Sequence, residues 1–538
     1  MRALGWVWDV AVVALLVFVR SLAQVRGRPE GVPDALADVP EAWWQVGGVH
    51  DFVLTGPDAG AWASNVQAWL NDGTLDLYRL PVWTALTAAM TRVYDDVVFA
   101  GHLVNHAASL LVVLGVYVLG RGTSGRGAAT LAALLVALSP ELVASKLDYG
   151  VDPVLQLALL GLGLGAWAVV TAGAPGAVLL GIAGGLAAGT HYLAAVFVVP
   201  AVVLPLLGPR RERWIGPFVY VVVAGTVWWL LLQPYPELSL SELVNIYVEG
   251  VAGSGGRSQG TGMETSLAVE VVTSRLHNAP ELAVQRGLRG LAVDGVPWIP
   301  VVGLFWLGVA GPGLAREGRG WRYGIDPRAT LTLLFFLVPL VALEAARAPD
   351  RYALYARPFL FLCVARGVAS LAAGLEQLVK LPARGGLACA AALAVGAYMH
   401  QPLMAEWDLS PPVEKGLHVR AVGETVAEAF GSGDAVATQN AEVAFYAGRS
   451  RCPANPCAGN SDLGACLLTL DQQCGRSGDI PYVIEVRDQR GYGDQPNAAL
   501  DALVAARFPE VGTWRGRESR FELYRLARSS LRALAGAQ

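Results

Sequence analysis

The sequence predicts an α-helical polytopic membrane protein of about eleven transmembrane helices with a C-terminal soluble α/β domain. Three observations carry that prediction. Of the 538 residues, 54% are hydrophobic and 16% charged, a balance foreign to soluble chains. The apolar residues gather in runs about as long as a helix that crosses a hydrocarbon core. From about 405 onward the runs give way to short amphipathic and alternating stretches.

The runs at 4–22, 98–119, 127–145, 153–171, 215–233, 297–314, 329–346, 354–372 and 385–403 each suit one span. The run 174–207 is too long for one, and Gly184, Gly185, Gly189, Thr190 and His191 at its middle fold it into a hairpin of two. Loop charge supports this count. It places Arg121 and Arg126, then Arg210, Arg211 and Arg213, then Arg316, Arg319, Arg322 and Arg328, then Lys380 and Arg384 on the cytoplasmic side. Treating 174–207 as a single span would send the last three groups outside. The same parity turns the loops 23–97 and 234–296, and everything after about 404, to the extracytoplasmic face of a bacterial inner membrane. Two domains follow, 1–404 in the membrane and 405–538 outside it. The first apolar run has only Ser21-Leu22-Ala23 as a weak cleavage site and reads as an uncleaved anchor.

In the first loop, Trp43 and Trp44 suit the membrane interface, and Trp62, Val66, Trp69 and Leu70 recur at helical spacing over 59–72. That pattern predicts an interfacial helix on the outer leaflet, with Asp58 at its start. The loop 234–296 contains a Gly- and Ser-rich run at 253–262, which reads either as a lid or as a plain connector. In the tail, helical periodicity at 417–430 and 497–508 alternates with strand-like runs at 435–438, 482–486 and 520–526. Cys452, Cys457, Cys466 and Cys474 crowd one part of that tail. An even number on an oxidising face predicts two disulfides, with three pairings open. Cys363 and Cys389 fall within apolar runs, where packing explains them.

The net charge of -4 gives no basis for a nucleic-acid partner. No Gly-rich nucleotide loop, nucleophile elbow or zinc-protease motif stands in a suitable context. Charge instead collects beside the outer loops: Asp58 and Arg79, then Lys146, Asp148 and Asp152, then Arg347 and Arg351. Such groups at a span end can simply meet headgroups. Placed together, a carboxylate can take a proton from an attacking hydroxyl while cations hold the oxygens of a departing phosphate. His102 and His106 share one helix face, as metal-binding pairs do, although hydrogen bonding between helices is the default explanation. His191 at the hairpin could reach the same cavity. Metal dependence stays open, with Mg or Mn as the divalent candidates.

These motifs, in this order, resemble the GT-C membrane glycosyltransferases. An acid after the first span, an interfacial helix, Arg79-Leu80-Pro81-Val82-Trp83 and Asn105 look like the family's first-loop signature. The similarity is to the bacterial branch related to protein O-mannosyltransferases, glycosyltransferase family 39, and to aminoarabinose transferases. Leu147-Asp148-Tyr149-Gly150-Val151-Asp152 is similar to its second acidic loop, 181–191 to its Gly-rich fifth helix, and Asp350-Arg351-Tyr352 through Pro358 to its late R-Y-x-x-x-x-x-P element. The resemblance covers about 1–400.

It implies transfer of a hexosyl or pentosyl group from a polyprenyl-phosphate donor to a lipid, glycan or protein acceptor outside the membrane, with inversion at the anomeric carbon. It makes Asp58 the general base or the acceptor-positioning carboxylate, with Asp152 in support, and gives donor-phosphate binding to Arg79 and Arg351; from the outer-loop charge cluster, Asp148 joins the acids and Lys146 the phosphate binders. His191, His102 and Tyr352 are further cavity candidates. The sequence departs from the family where Pro57-Asp58-Ala59 replaces an acidic pair, where Arg79-Leu80-Pro81 replaces a basic residue followed by two prolines, and where His191 replaces a lysine. The rival reading is a non-catalytic envelope protein, either a lipid-linked substrate transporter or an assembly scaffold. The inverted halves expected of a transporter are not visible in the sequence.

Overall fold

A computed structural model describes residues 2–22, 58–75, 79–139, 149–209, 211–233, 298–310, 313–317, 320–324, 327–345, 350–379, 410–430, 435–438, 440–449, 451–453, 463–474, 479–487, 498–515 and 519–537, with single positions such as Leu54, Glu141 and Ser145 between them. Lys146, Asp148, Cys389, Cys457 and most of the loops 23–57 and 234–297 lie outside the described residues.

Helix α1 (Arg2–Leu22) leads to α2 (Ala59–Asp72), α3 (Pro81–Tyr94), α4 (Val97–Ser124) and α5 (Arg126–Leu138). Local chemistry sets these boundaries. Pro81 occupies the first turn of α3, where its missing N–H costs nothing, and Asp95 leaves that helix in the left-handed region at φ 57°. Asp96 then caps α4 by accepting from Phe99 N. Helices α6 (Asp152–Ala172) and α7 (Ala174–Ala188) turn about Gly173 at φ 70°. They pack so tightly that a Cβ on Gly176 would lie 2.1 Å from Val169 N.

The second half of the expected hairpin is not a regular α-helix. A 3-10 turn (Tyr192–Ala194), one α turn α8 (Ala195–Val198) and a 3-10 stretch (Pro200–Leu207) replace it. Pro200 and Pro205 have no N–H to donate, which breaks the ladder. Helices α9 (Ile215–Leu232) and α10 (Trp298–Ala310) follow. The hairpin β1 (Gly313–Glu317) with β2 (Gly320–Gly324) had no counterpart in the sequence reading. The apolar run 329–346 divides into α11 (Pro327–Phe335) and α12 (Leu337–Ala345). Pro339 cannot donate to the carbonyl of Phe335, and the chain breaks at Phe336. A 3-10 turn (Asp350–Tyr355) precedes α13 (Arg357–Val379).

Among the described residues, four helices, 97–124, 152–172, 215–232 and 357–376, are long and apolar enough to cross a membrane. The shorter apolar helices pack among them around one core that draws on α1, α4 to α7 and α13.

The C-terminal region holds α14 (Ser410–Ala429), β3 (Val436–Thr438), α15 (Ala441–Tyr446), β4 (Arg451–Pro453), α16 (Leu463–Cys474), β5 (Ile480–Arg487), α17 (Ala498–Arg507), β6 (Glu510–Arg515), β7 (Ser519–Leu526) and α18 (Arg528–Ala537). Its sheet has the order β4-β3-β5-β7-β6, parallel across β4, β3 and β5 and antiparallel across β5, β7 and β6. A disulfide joins Cys452 on β4 to Cys474 at the end of α16. Cys466 is also disulfide-bonded, to a partner outside the described residues. Cys363 is a free, buried thiol of α13.

Candidate functional site

The site is built at the end of the bundle where α2, α3 and α6 begin. The expected helix 59–72 is present as α2, but it does not lie open on a leaflet. Its Trp62, Ala63 and Val66 are buried in a second core with Trp83, Val98 and Tyr149, and Phe445 and Tyr446 of α15 pack against that core. Of the apolar stripe that suggested a lipid contact, Trp62 and Val66 are buried by protein while Trp69 and Leu70 are half-buried. An amphipathic pattern records only that one face is buried, not by what.

Asp58 is the N-cap residue of α2, and Arg79 stands two residues before Pro81. The two form an ion pair, Arg79 Nη2 donating to Asp58 Oδ1 at 3.4 Å, with their side chains 20% and 36% exposed. The Arg79 guanidinium also lies over the Trp62 ring, 4.9 Å from its centroid. An aromatic wall continues from there. Trp62 meets Trp83 edge-on at 5.3 Å, and Trp83 meets Tyr149 at 5.1 Å. Trp83 Nε1 donates to Asn105 Oδ1 at 2.8 Å, and Tyr149 OH donates to the carbonyl of Val97 at 2.9 Å. Gly101 makes room for the tyrosine, since a Cβ there would lie 2.2 Å from the ring. Val82 N donates to the carbonyl of Gly189 at 3.1 Å, which ties the start of α3 to the break before His191.

The wall leads to the second acid. A Cβ on Gly150 would lie 3.5 Å from the Trp62 indole, and two residues later Asp152 opens α6. A carboxylate in a first turn is favoured by the helix dipole. Asp152 Oδ1 accepts from Tyr355 OH at 2.6 Å, and Tyr355 is buried. Two residues on, the buried Arg357 places Nη1 2.8 Å from Glu141 Oε2. The structure thus links Asp58 to Arg79 directly, and joins both to the Asp152 turn through Trp62.

The other expected site residues are placed differently. His102 is buried with its ring edge-on to Tyr149, 5.6 Å between centroids. His191 uses Nδ1 to accept from Leu193 N and stacks on Tyr192. Arg351 and Tyr352 belong to the 3-10 turn 350–355, their side chains outside the described residues, as are Lys146 and Asp148 altogether. Tyr355, Arg357 and Glu141 were missed. Tyr355 and Arg357 stood inside the quoted late motif, and the partners that give them meaning lie on the loop and helix before and after 146–148. The described residues of the site are a poor fit for a divalent ion. Among the described residues no three His, Cys, Asp or Glu side chains converge, and beside Asp58 stands a guanidinium where a further acidic ligand would be needed.

Residues 79–235 match the family model described as dolichyl-phosphate-mannose-protein mannosyltransferase. Among solved structures, the chain is similar to ArnT from Cupriavidus metallidurans bound to undecaprenyl phosphate, with a TM-score of 0.57 at 13% identity over 96% of this chain and 98% of that one. The apo state of that protein gives 0.57 at 14%, over 97% and 98%. The Archaeoglobus fulgidus oligosaccharyltransferase in its apo form gives 0.53 at 13%, over 89% and 69%. No curated protein matches by sequence. The likeness to these structures is one of fold, along nearly the whole chain in the ArnT case.

Proposed function

On the GT-C membrane glycosyltransferase fold that this chain carries, we propose an enzyme that moves a sugar from a polyprenyl-phosphate donor to an acceptor on the extracytoplasmic face. The observation that carries the reading is the Asp58–Arg79 pair, partly exposed at the start of α2 and backed by Trp62. An acid and a cation within contact of each other, at the end of an apolar bundle, suit a reaction that needs a base and a phosphate anchor side by side. The relatives support the donor class. One of the ArnT structures holds undecaprenyl phosphate, and the matched family model is named for a dolichyl-phosphate sugar donor.

In this mechanism the acceptor hydroxyl gives its proton to Asp58 as its oxygen attacks the anomeric carbon from the face opposite the phosphate. The bond from that carbon to the phosphate oxygen breaks, and the configuration inverts. Arg79 first neutralises Asp58 and then turns to the phosphate as negative charge grows on it. Asp152, held by Tyr355, and Arg351 on the adjacent 3-10 turn complete the proposed cavity, with Lys146 and Asp148 from the loop between. No step is routed through a metal ion. The region after about 405 we assign to the outer side, above the cavity, as a second domain. The transferred group is a hexosyl or pentosyl unit, and a bacterial inner membrane is the proposed setting.

The test is transfer by the purified chain in lipid, with polyprenyl-phosphate sugars offered singly and the acceptor sought among the glycans and glycolipids of cells with and without the protein. Asp58→Asn should lower transfer by about 10²–10⁴-fold, the usual loss for a general base, while the chain stays inserted and folded. Wild-type turnover in that variant would remove Asp58 from the mechanism.

A further inference from the structure

Asp58 holds the N-cap position of α2, with φ -121° and ψ 9°, yet its side chain makes no cap hydrogen bond. An aspartate there ordinarily turns its carboxylate back onto the second or third amide of its own helix. Here the second amide has another acceptor. Gly60 N donates to Glu442 Oε1 at 3.2 Å, from a residue 382 positions further along the chain, while Asp58 Oδ1 takes Nη2 of Arg79.

Glu442 is held for this task. It lies in the first turn of α15, where Asn440 Oδ1 accepts from Glu442 N at 3.1 Å and Val443 N at 3.4 Å. The two backbones meet directly, because a Cβ on Gly60 would lie 2.4 Å from Glu442 N and 2.5 Å from the carbonyl carbon of Ala441. A second anchor stands beside it, where Leu54 N donates to Tyr446 OH at 2.8 Å. Burial pushes the Glu442 carboxyl above its ordinary range, the amides of Gly60 and Glu442 itself pull it back, and Lys415 and Glu485 act in opposite senses.

We propose that Glu442 is a positioning residue of the site: by capping α2 from the C-terminal region, it releases the Asp58 carboxylate from its own helix and holds it toward Arg79 and the acceptor. Its catalytic consequence rests on the glycosyltransferase reading above; the capping itself does not. It gives the C-terminal region a defined part in the site, as the supplier of a hydrogen bond that the catalytic aspartate would otherwise make.

Two measurements on the full chain in lipid nanodiscs test it. The first is hydrogen–deuterium exchange of the peptide covering 58–66. Either carboxylate can cap the helix, so Glu442→Ala alone leaves the first turn protected as Asp58 swings in, and Asp58→Ala alone leaves it protected by Glu442. Only the double variant exposes it. Fast exchange in Glu442→Ala alone, or protection in the double variant, overturns the proposal.

The second is steady-state transfer. Glu442→Ala should lower kcat roughly tenfold or more with the donor KM within about twofold, since the base is displaced and the donor anchor is not. Glu442→Gln, whose amide oxygen still accepts from Gly60, should restore most of the turnover. Tyr446→Phe loosens the other anchor without touching the cap, and should change neither kcat nor first-turn exchange. Wild-type kcat in Glu442→Ala, or a Gln variant as impaired as the Ala variant, overturns the positioning role. If the wild-type chain transfers nothing from any polyprenyl-phosphate sugar while the exchange pattern holds, the function reading fails and the capping stands.

Discussion

Arg20 and Arg79 place the same guanidinium in two different settings of one bundle. Arg20, near the end of α1, is 2% exposed and donates through all three of its nitrogens. Its Nε and Nη2 donate to Ser109 Oγ at 2.8 and 2.5 Å, Nη1 to the carbonyl of Ala137 at 3.2 Å, and Nη2 to that of Leu142 at 2.6 Å. Arg79 is partly open, with a 3.4 Å contact to Asp58 and a ring beneath it. A charge buried among apolar helices survives only if its donors are satisfied, and a charge so satisfied has no reason to move. The long contact of Arg79 is the weaker bond and the easier one to exchange for a phosphate oxygen. We propose that the difference separates a cation that holds the scaffold from one that exchanges its acid partner for substrate.

The sharpest way to break that contrast is to remove Arg79. Arg79→Ala should cost about 10²–10³-fold in transfer, roughly the loss when one preorganised donor is removed from a developing anion, with the thermal midpoint unchanged. Arg79→Lys should recover part of it, since an ammonium supplies charge without the planar fork. Transfer assays and thermal unfolding of the same samples check both. A large fall in the midpoint with normal transfer would put Arg79 in the scaffold class.

Arg20→Met is the reciprocal case. It keeps an unbranched apolar side chain but leaves Ser109 and two carbonyls without their donor, at a cost of about 2–3 kcal/mol in stability for groups buried unsatisfied. Transfer per folded molecule should stay within about threefold of wild type, because no step uses Arg20. Denaturant or thermal unfolding in detergent reads the first effect and single-donor kinetics the second.

Parts of this arrangement were legible in the sequence. The spacing of Trp62, Val66, Trp69 and Leu70 gave α2 its range because helical periodicity is local. The sequence put Asp58 and Arg79 in one outer loop, and their direct ion pair across 21 positions is what the structure adds. What stayed hidden depends on distant partners. Tyr355 meets Asp152 across 203 positions and Glu442 meets Gly60 across 382, and neither acceptor carries a local signal of its donor. Nothing local marks Arg20, since the carbonyls that hold it, of Ala137 on α5 and of Leu142 beyond it, come together only in the folded bundle. The turn at 189–191 was expected from its glycines, but the break at Phe336 and the 3-10 stretch 200–207 were obscured because continuous apolar composition hides what a proline does to the backbone.

The smallest expected effect extends the contrast to a buried acid with no cation among its recorded partners. Asp501 of α17 is buried and accepts from Tyr482 OH on β5 at 2.8 Å. Burial raises its carboxyl to about 6, the Tyr482 bond opposes that, and the charge of Glu522 on β7 adds to it. In the unfolded chain an aspartate titrates near about 3.9. The folded state therefore holds the proton more tightly. The stability this gives is complete below about pH 4 and is lost as the pH rises through about 6, roughly 2–3 kcal/mol in all. Asp501→Asn keeps an oxygen for Tyr482 and removes the charge. Its thermal midpoint should exceed that of the wild type at pH 8 and converge with it near pH 4, measured on the full chain by the loss of signal from the C-terminal region. Parallel pH profiles for the two proteins would mean that the Tyr482 bond satisfies the buried acid as fully as Ser109 and the carbonyls satisfy Arg20.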